Sequence, residues 1–391
     1  MKYVQGWMAV CAAGALSACG SGDWVALPTL DGKPALVLAH RGAGGTLPEE
    51  TVEAYARAIE QGADAIEPDV ISTKDGVLIA RHDPNLAFST DVAQHPEFAS
   101  RKRKLSVDGE MQEGWFASDF TLAEIKTLGG ISTDAERPQE FNGKFKIATI
   151  QEVIDMIKKS GRNIALYAET KNPTFHRQQG VPLEDKLLAL LTAAGWNDRS
   201  APVFLQSFEP GSLKYMRGKG STVKMVQLID ADDVDLKTGA LTFAAPYDRP
   251  YDWAQAGDKR LFSAMVTPAG LAEIKTYADG IGPWKRYIVS VKGTVGADGK
   301  VVDVNGDGKV NEADTTSQPA STLVADAHKA GLFVHPYTFR NEQRRLAADY
   351  KGDPKAEFKQ FYALGVDGVF ADFADTALAA RAEYLLSLIH I

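Results

Sequence analysis

The stretch "LVLAHRGAGGTLPEET", residues 36–51, runs from an apolar segment straight into a His–Arg pair, then into glycines and acids. Its opening reads as a buried strand by apolar content. Its end reads as a helix start, because Pro48 and a first turn of acids precede a segment that Gly62 stops. A strand that hands His40 and Arg41 to a turn and then enters a helix is one β–α unit. The glycines of the turn would let the backbone pass close to a bound group. How often the unit recurs decides the fold.

Moving outward, "DAIEPDVIS" (64–72) is the next strand, and "LIARHD" (78–83) follows after only "TKDG". So short a link cannot make a parallel crossover. The two are therefore a hairpin with Asp75-Gly76 in its turn. Further strands are expected at "NIALYAET" (163–170), "PVFLQSF" (202–208), "VKMVQLI" (223–229), "DGIGP" (279–283) with "RYIVS" (286–290), "LFVHPYTF" (332–339) and "VDGVFADF" (366–373). Helical segments separate them, among them "TIQEVIDMIKKSG", "PGSLKYMRGKG", "GLAEIKTYADG" and "TLVADAHKAG". Setting the second hairpin arm aside leaves about eight strand–helix units. That alternation predicts an α/β fold, a (β/α)8 TIM barrel over 34–382 with insertions at the C-terminal face, at about 85–146 and 290–319. The alternative, an open doubly wound sheet, calls for a glycine fingerprint and a switch point. Polar groups at the ends of many strands favour the barrel.

The start of the chain reads differently. "MKYVQGWMAVCAAGALSACGSG" has an early lysine, an apolar run and small residues, the pattern of an export signal. Leu16-Ser17-Ala18-Cys19 resembles a bacterial lipoprotein cleavage box, which makes 1–18 the signal, Cys19 the lipidated first mature residue and 19–33 a leader. An ordinary signal cleaved at an Ala-x-Ala-like site is the alternative. The expected location is exported, lipid-anchored in the cell envelope or periplasm, with membrane contact only through the lipid on Cys19. Cys11 and Cys19 are the two cysteines of the 391 residues, so the mature domain would hold no disulfide. A net charge of −8 gives no basic footprint for nucleic acid. The apolar tail within 383–391 is assigned no role.

The strand ends carry the chemistry. The first ends in His40-Arg41, the second presents Glu67 and Asp69, the hairpin arm ends in His82-Asp83, and "YAETK" presents Glu169 and Lys171. Residues two apart share a strand face, and barrel strand ends converge on one mouth. Three carboxylates there repel one another unless a cation sits among them. An all-oxygen set suits Ca²⁺ or Mg²⁺. Arg41 and Lys171 suit an anionic, phosphate-like substrate, and His40 with His82 forms an acid–base pair near neutral pH. Together these groups describe cleavage of a phosphodiester. Asp83 is expected to orient the loop behind His82, and His95, His328 and His390 to be structural or surface residues.

A second metal signal lies in "DVNGDGKVNEAD" (303–314). Asp303, Asn305, Asp307, Asn311 and Asp314 place oxygens at calcium-loop positions, with the Lys309 carbonyl between them. The pattern resembles the dockerin-type variant of the EF-hand loop and implies a structural Ca²⁺ at the rim of the barrel.

The string "AHRG…LPEET…GADAIEPDV…TKDG…ARHD", with "SDFTLAEIKTL", "AETKNPTFH", "LQSFEP", "VHPYTFRNE" and "GVDGVFADF", resembles the glycerophosphodiester phosphodiesterases, especially their periplasmic bacterial branch. The resemblance implies a (β/α)8 barrel and His40 and His82 as general acid and base. It also implies Glu67, Asp69 and Glu169 as ligands of a divalent cation, with Ca²⁺ expected ahead of Mg²⁺. Arg41 and Lys171 become phosphate contacts, and Glu49 lies near the glycerol. The implied substrate is a small glycerophosphodiester such as glycerophosphocholine or glycerophosphoethanolamine, cleaved to glycerol 3-phosphate and an alcohol. One departure stands out: the family's "PENT" is "PEET" here, so Glu50 replaces an asparagine. Other readings keep the barrel but act on lysophospholipids or polymers through a pocket shaped by 85–146, or make the chain a lipoprotein that mainly binds a partner.

Overall fold

The computed structural model describes residues 26–389; the signal and Cys19 lie outside them, as does His390. Eight parallel strands form the frame: β1 Leu36–His40, β2 Ala65–Glu67, β3 Ala165–Thr170, β4 Val203–Ser207, β5 Lys224–Ile229, β6 Gly280–Pro283, β7 Phe333–Val334 and β8 Gly368–Ala371. Each pairs in parallel with its neighbour from β8 through β1 round to β7. The remaining seam, between β7 and β8, is held where Asp367 N donates to Val334 O (2.9 Å) and Phe370 N to Pro336 O (3.1 Å). The result is a nearly closed barrel with a helix after every strand, matching the (β/α)8 expectation.

Period-two alternation sorts the side chains. Leu38, Tyr167, Phe204, Val226 and Phe370 fill the barrel interior. Their neighbours Val37, Ala39, Leu166, Leu205 and Val369 pack outward against the helices in the main core. Pro68 interrupts the second strand, which resumes as Asp69–Ser72 and turns back antiparallel into Leu78–Ala80, the expected hairpin. Two capping boxes place helix starts: Thr149 with Glu152 at the helix Ile150–Ser160, and Thr121 with Glu124.

Two expectations fail locally. "RYIVS" is no strand; Lys285–Tyr287 is a 3-10 turn, because the amides of Tyr287 and Ile288 bond back to Trp284 and Lys285. The strand drawn over 332–339 keeps only Phe333–Val334 as ladder, with isolated bridges from Tyr337 to Trp284 and from Phe339 to Ala371, since Pro336 removes a donor. The last helix runs from Ala374 to Ile389, past the expected barrel end at 382, and its Glu383 meets Lys355 Nζ at 2.5 Å.

The stretch 85–146 follows the hairpin and contains a ribbon, Arg103–Val107 paired with Glu110–Gly114, over a separate small core that includes Leu86, Phe98, Trp115 and Phe120. The stretch 290–319 leaves β6 and contains the ribbon Val291–Gly293 with Thr315–Ser317. No helix among the described residues is long and apolar enough to cross a membrane.

Candidate active site

Ladder register, more than any single motif, assembles the barrel mouth. Ala39 stands opposite Ala371, His40 opposite Glu67, Asp69 opposite Glu169, and Glu169 opposite Gln206. The next inward residues at the strand ends therefore meet around one cavity of about 560 Å³, lined among others by His40, Arg41, Glu67, His82, Glu169, Lys171 and Gln206.

Glu67, Asp69 and Glu169 each offer an oxygen within 4.8 Å of the others, and all three are buried. Glu67 accepts from the Arg41 amide (2.9 Å) and from Gln206 Nε2 (2.9 Å). Glu169 lies 3.0 Å from Lys171 Nζ. Asp69 Oδ2 sits 3.0 Å from Arg41 Nε but has no properly aligned hydrogen-bond partner. Burial, with Asp69 and Glu50 beside it, pushes the Glu67 carboxyl well above its usual range. Burial also pushes Glu169 up to about 8, against the pull of Lys171. Burial opposes ionisation of Asp69 too, but Lys171 and Arg41 hold it below the ordinary carboxylate range. A buried, all-oxygen set with an orphaned acceptor and protons held by repulsion fits a hard divalent cation.

His40 closes the ring on the other side. Its Nδ1 lies 2.6 Å from Asp372 Oδ1, at the end of β8. Burial raises the cost of charge on Asp372, yet Arg340, His40 and Arg137 hold it well below the carboxylate range. An ionised carboxylate only accepts, so Nδ1 carries the proton and Nε2 keeps its lone pair. Burial first, then Arg41, lowers the His40 pKa, and the ring is neutral near pH 7. His82 is more open, with 32% of its side chain exposed, and its Nδ1 lies 3.2 Å from Asp83. Asp83 thus touches the imidazole itself, in addition to lining the cavity.

Arg41 has φ 54°, a left-handed turn residue directly after β1. Its guanidinium lies against Asp69 and donates to Glu49 Oε1 at 3.0 Å. Glu49 is buried beneath Arg41. The glycines after Arg41 also serve packing. A Cβ on Gly42 would lie 2.8 Å from the Ala54 carbonyl carbon, and one on Gly45 would lie 2.5 Å from the Phe373 ring.

Glu50, the departure in "PEET", has φ 62°. Asparagine is enriched in that conformation and a longer acid is not. Its fully buried carboxyl accepts from Asp69 N (2.9 Å) and from the Tyr55 hydroxyl. Burial and Asp69 push it well above the usual range.

The six residues of the 303–314 loop lie away from this cavity. Asp303 accepts from the amides of Gly306 (2.7 Å) and Gly308 (2.8 Å), and Asp314 from those of Val304 (2.7 Å) and Asn311 (3.0 Å). Asn305, Asp307 and Asn311 cap amides two residues on, and the Lys309 amide is the donor to Asp307. Among the described residues, the loop's acids do not converge as the strand-end triad does. Of the histidines expected to lie outside the site, His328 bonds Asp367 and His95 lies between Asp91 and Glu97.

Sequence reading missed Asp372, Gln206 and Arg137. Asp372 and Gln206 were reachable, since each continues the inward alternation of its strand. Arg137 was not: it enters from the 85–146 stretch to bond Asp372, Gly44 O (3.1 Å) and Glu342 (2.7 Å).

The sequence model of the glycerophosphoryl diester phosphodiesterase family matches residues 40–376. The chain belongs to that family. A glycerophosphodiester phosphodiesterase of Arabidopsis thaliana is 39% identical over 349 residues, covering 86% of this chain and 83% of its own. One of Haemophilus influenzae is 30% identical over 399 residues, covering 97% and 98%. The structure of an Oleispira antarctica phosphodiesterase in complex with the product sn-glycerol-3-phosphate superposes with a TM-score of 0.55 at 18% identity, covering 90% of this chain and 99% of that one, and shares the fold. Family membership makes the protein a phosphodiesterase and the Glu67/Asp69/Glu169 cluster its metal-binding centre.

Proposed function

We propose that the protein hydrolyses glycerophosphodiesters, such as glycerophosphocholine or glycerophosphoethanolamine, to glycerol 3-phosphate and an alcohol. The observation that carries this is the convergence of a buried acidic triad, two cationic side chains and two histidines on one barrel mouth. Glu67, Asp69 and Glu169 would hold the divalent cation, Ca²⁺ ahead of Mg²⁺, which supplies charge stabilisation at the phosphoryl oxygens. Lys171 and Arg41 hold the same anion from the protein side. His40, its Nδ1 proton fixed on Asp372, presents Nε2 to take the proton of the nucleophile, water or the neighbouring glycerol hydroxyl. With water, the new O–P bond forms as the bond to the alcohol oxygen breaks, and His82 protonates that oxygen; with the glycerol hydroxyl the same step gives a cyclic phosphate, which water opens in a second displacement to glycerol 3-phosphate. Asp372 acts as a positioning residue.

The test is turnover of glycerophosphocholine by wild type, His40→Ala and His82→Ala, with EDTA as control. Loss of turnover in both variants with the fold kept supports the assignment. Wild-type-like rates in either, or full activity in EDTA, would overturn it.

Two finer parts belong to the same reading. Residues 303–314 form a structural Ca²⁺ loop, supported by oxygen side chains at five loop positions and by Glu312, whose carboxylate ties the loop to buried Arg286 (3.1 and 3.0 Å). The chain is exported and anchored through lipid on Cys19, supported by the "LSAC" box. Metabolic labelling with a palmitate analogue, lost in Cys19→Ser, tests the anchor.

A further inference from the structure

The barrel mouth has two unlike halves. The ends of β8, β1, β2 and β3 carry His40, the acidic triad, Arg41 and Lys171. Across from them, the ends of β4 to β7 carry aromatic rings and acids. Phe208 packs edge-on against Tyr337 at 5.9 Å, and Trp284 lines the same wall. Glu209, Asp230 and Asp232 line it too, and the tip of the 103–114 ribbon adds Asp108 from above. The ribbon is fixed there: Asp108 Oδ2 accepts from Asn172 Nδ2 at 2.6 Å, and Glu110 meets the Tyr247 hydroxyl.

This half offers acceptors and little positive charge. The two arginines on its rim are engaged, Arg249 with Asp248 (2.7 Å) and Arg340 with Asp372 (3.0 Å). Asp108 Oδ1 is shielded from solvent and has no partner. At the junction of the halves Gln206, 1% exposed, gives its Nε2 to Glu67 and leaves a buried Oε1 unpartnered in the cavity wall. Burial holds Glu209 up to about 8, and it holds Asp108 up to about 6 against the pull of Lys171, whose Nζ reaches over the Phe208 ring at 5.4 Å from the other half. An anionic group would be repelled here, and a neutral polyol would leave most of the negative potential uncancelled. An ammonium group is attracted both by carboxylates and by aromatic faces.

We infer that this half is the subsite for the leaving alcohol and that it selects an alcohol bearing an ammonium group. The inference rests on the phosphodiesterase reading and adds to it the class of diester preferred: those whose leaving group is a cation such as choline or ethanolamine.

The test compares kcat/KM for glycerophosphocholine with that for glycerophosphoglycerol, whose leaving alcohol is neutral. Wild type favours the choline diester by about tenfold or more, the size of a desolvated cation–π and carboxylate contact. In Asp230→Asn and Asp108→Asn the ratio falls severalfold. Equal values in wild type, or a ratio unmoved in both variants, overturn the subsite. A second measurement needs no turnover: calorimetric binding of choline against its uncharged isostere 3,3-dimethylbutan-1-ol. Tighter binding of choline, weakened in Asp230→Asn, keeps the subsite even if neither diester is cleaved, and then the phosphodiesterase reading alone fails. Equal binding of the two alcohols overturns the subsite.

Discussion

Two groups of acids in this chain look alike as sequence and differ as structure. Glu67, Asp69 and Glu169 come from separate strands, are buried, and converge within 4.8 Å. Asp303, Asp307 and Asp314 lie within one loop, and each already accepts backbone amides. The first group is held together against its own repulsion by the ladder register of a closed sheet. The second is held by local turns that satisfy its oxygens at little cost. Repulsion imposed by the whole fold leaves a demand for a cation. Acids that cap their own loop create no such demand, and a cation there would act on stability alone.

The largest effect expected from this contrast is at the mouth. Removing His40 or His82 as alanine lowers kcat by about 10²–10⁴ and leaves the far-ultraviolet circular dichroism of wild type. Asp372→Asn, which spoils the His40 tautomer without touching substrate, lowers kcat more than it raises KM, and its pH profile departs from that of wild type. Unchanged kinetics in Asp372→Asn would show that the β8 contact positions nothing.

Next in size is the coupling of metal to protons. Glu169 moves from 4.5 to about 8 on folding. A carboxyl raised in the folded state contributes stability below its unfolded pKa, and that contribution is lost as pH rises through the folded value. The metal-free protein therefore loses stability between about pH 4.5 and pH 8, while a cation that needs the carboxylate binds more tightly over the same range. Calorimetry with Ca²⁺ in buffers of different ionisation enthalpy should register proton release near pH 7, reduced in Glu169→Gln, where Glu67 alone still gives up a proton. No proton release in wild type would count against a cation on this triad.

Glu50→Asn is a smaller change. It relieves a left-handed strain of about 1–3 kcal/mol but gives up the Tyr55 contact, and thermal melting of the metal-free variant should show a net gain of a few degrees. A lower melting temperature would mean that the Tyr55 bond outweighs the strain. The smallest effect belongs to the loop. Asp303→Ala keeps turnover near wild type and abolishes only the part of the Ca²⁺-induced melting shift that Glu169→Gln retains. An identical Ca²⁺ response in Asp303→Ala and wild type would remove the loop as a site.

Most of the barrel was legible because period-two and period-3.6 patterns report local structure, and eight strand–helix repeats leave few ways to close. The triad, both histidines and the two cations were legible because strand ends in a barrel share a mouth. What failed had a physical reason in each case. "RYIVS" has strand-like residues but sits in a tight turn after β6, where tertiary packing overrides β-propensity. The clearance that the glycines beside Arg41 give to Ala54 and Phe373 could not be read locally, because both partners come from elsewhere in the chain. Arg137 lies in an irregular stretch, where no periodicity says which way a side chain points.

The bond between His40 and Asp372 joins residues 332 positions apart. While the chain is being made, the first strand is complete long before its partner emerges. Until β8 docks beside β1, the imidazole has neither its tautomer nor its place. Chemistry thus waits for the last barrel strand, and a chain cut just before residue 372 would carry nearly every motif of the enzyme yet leave His40 without its carboxylate.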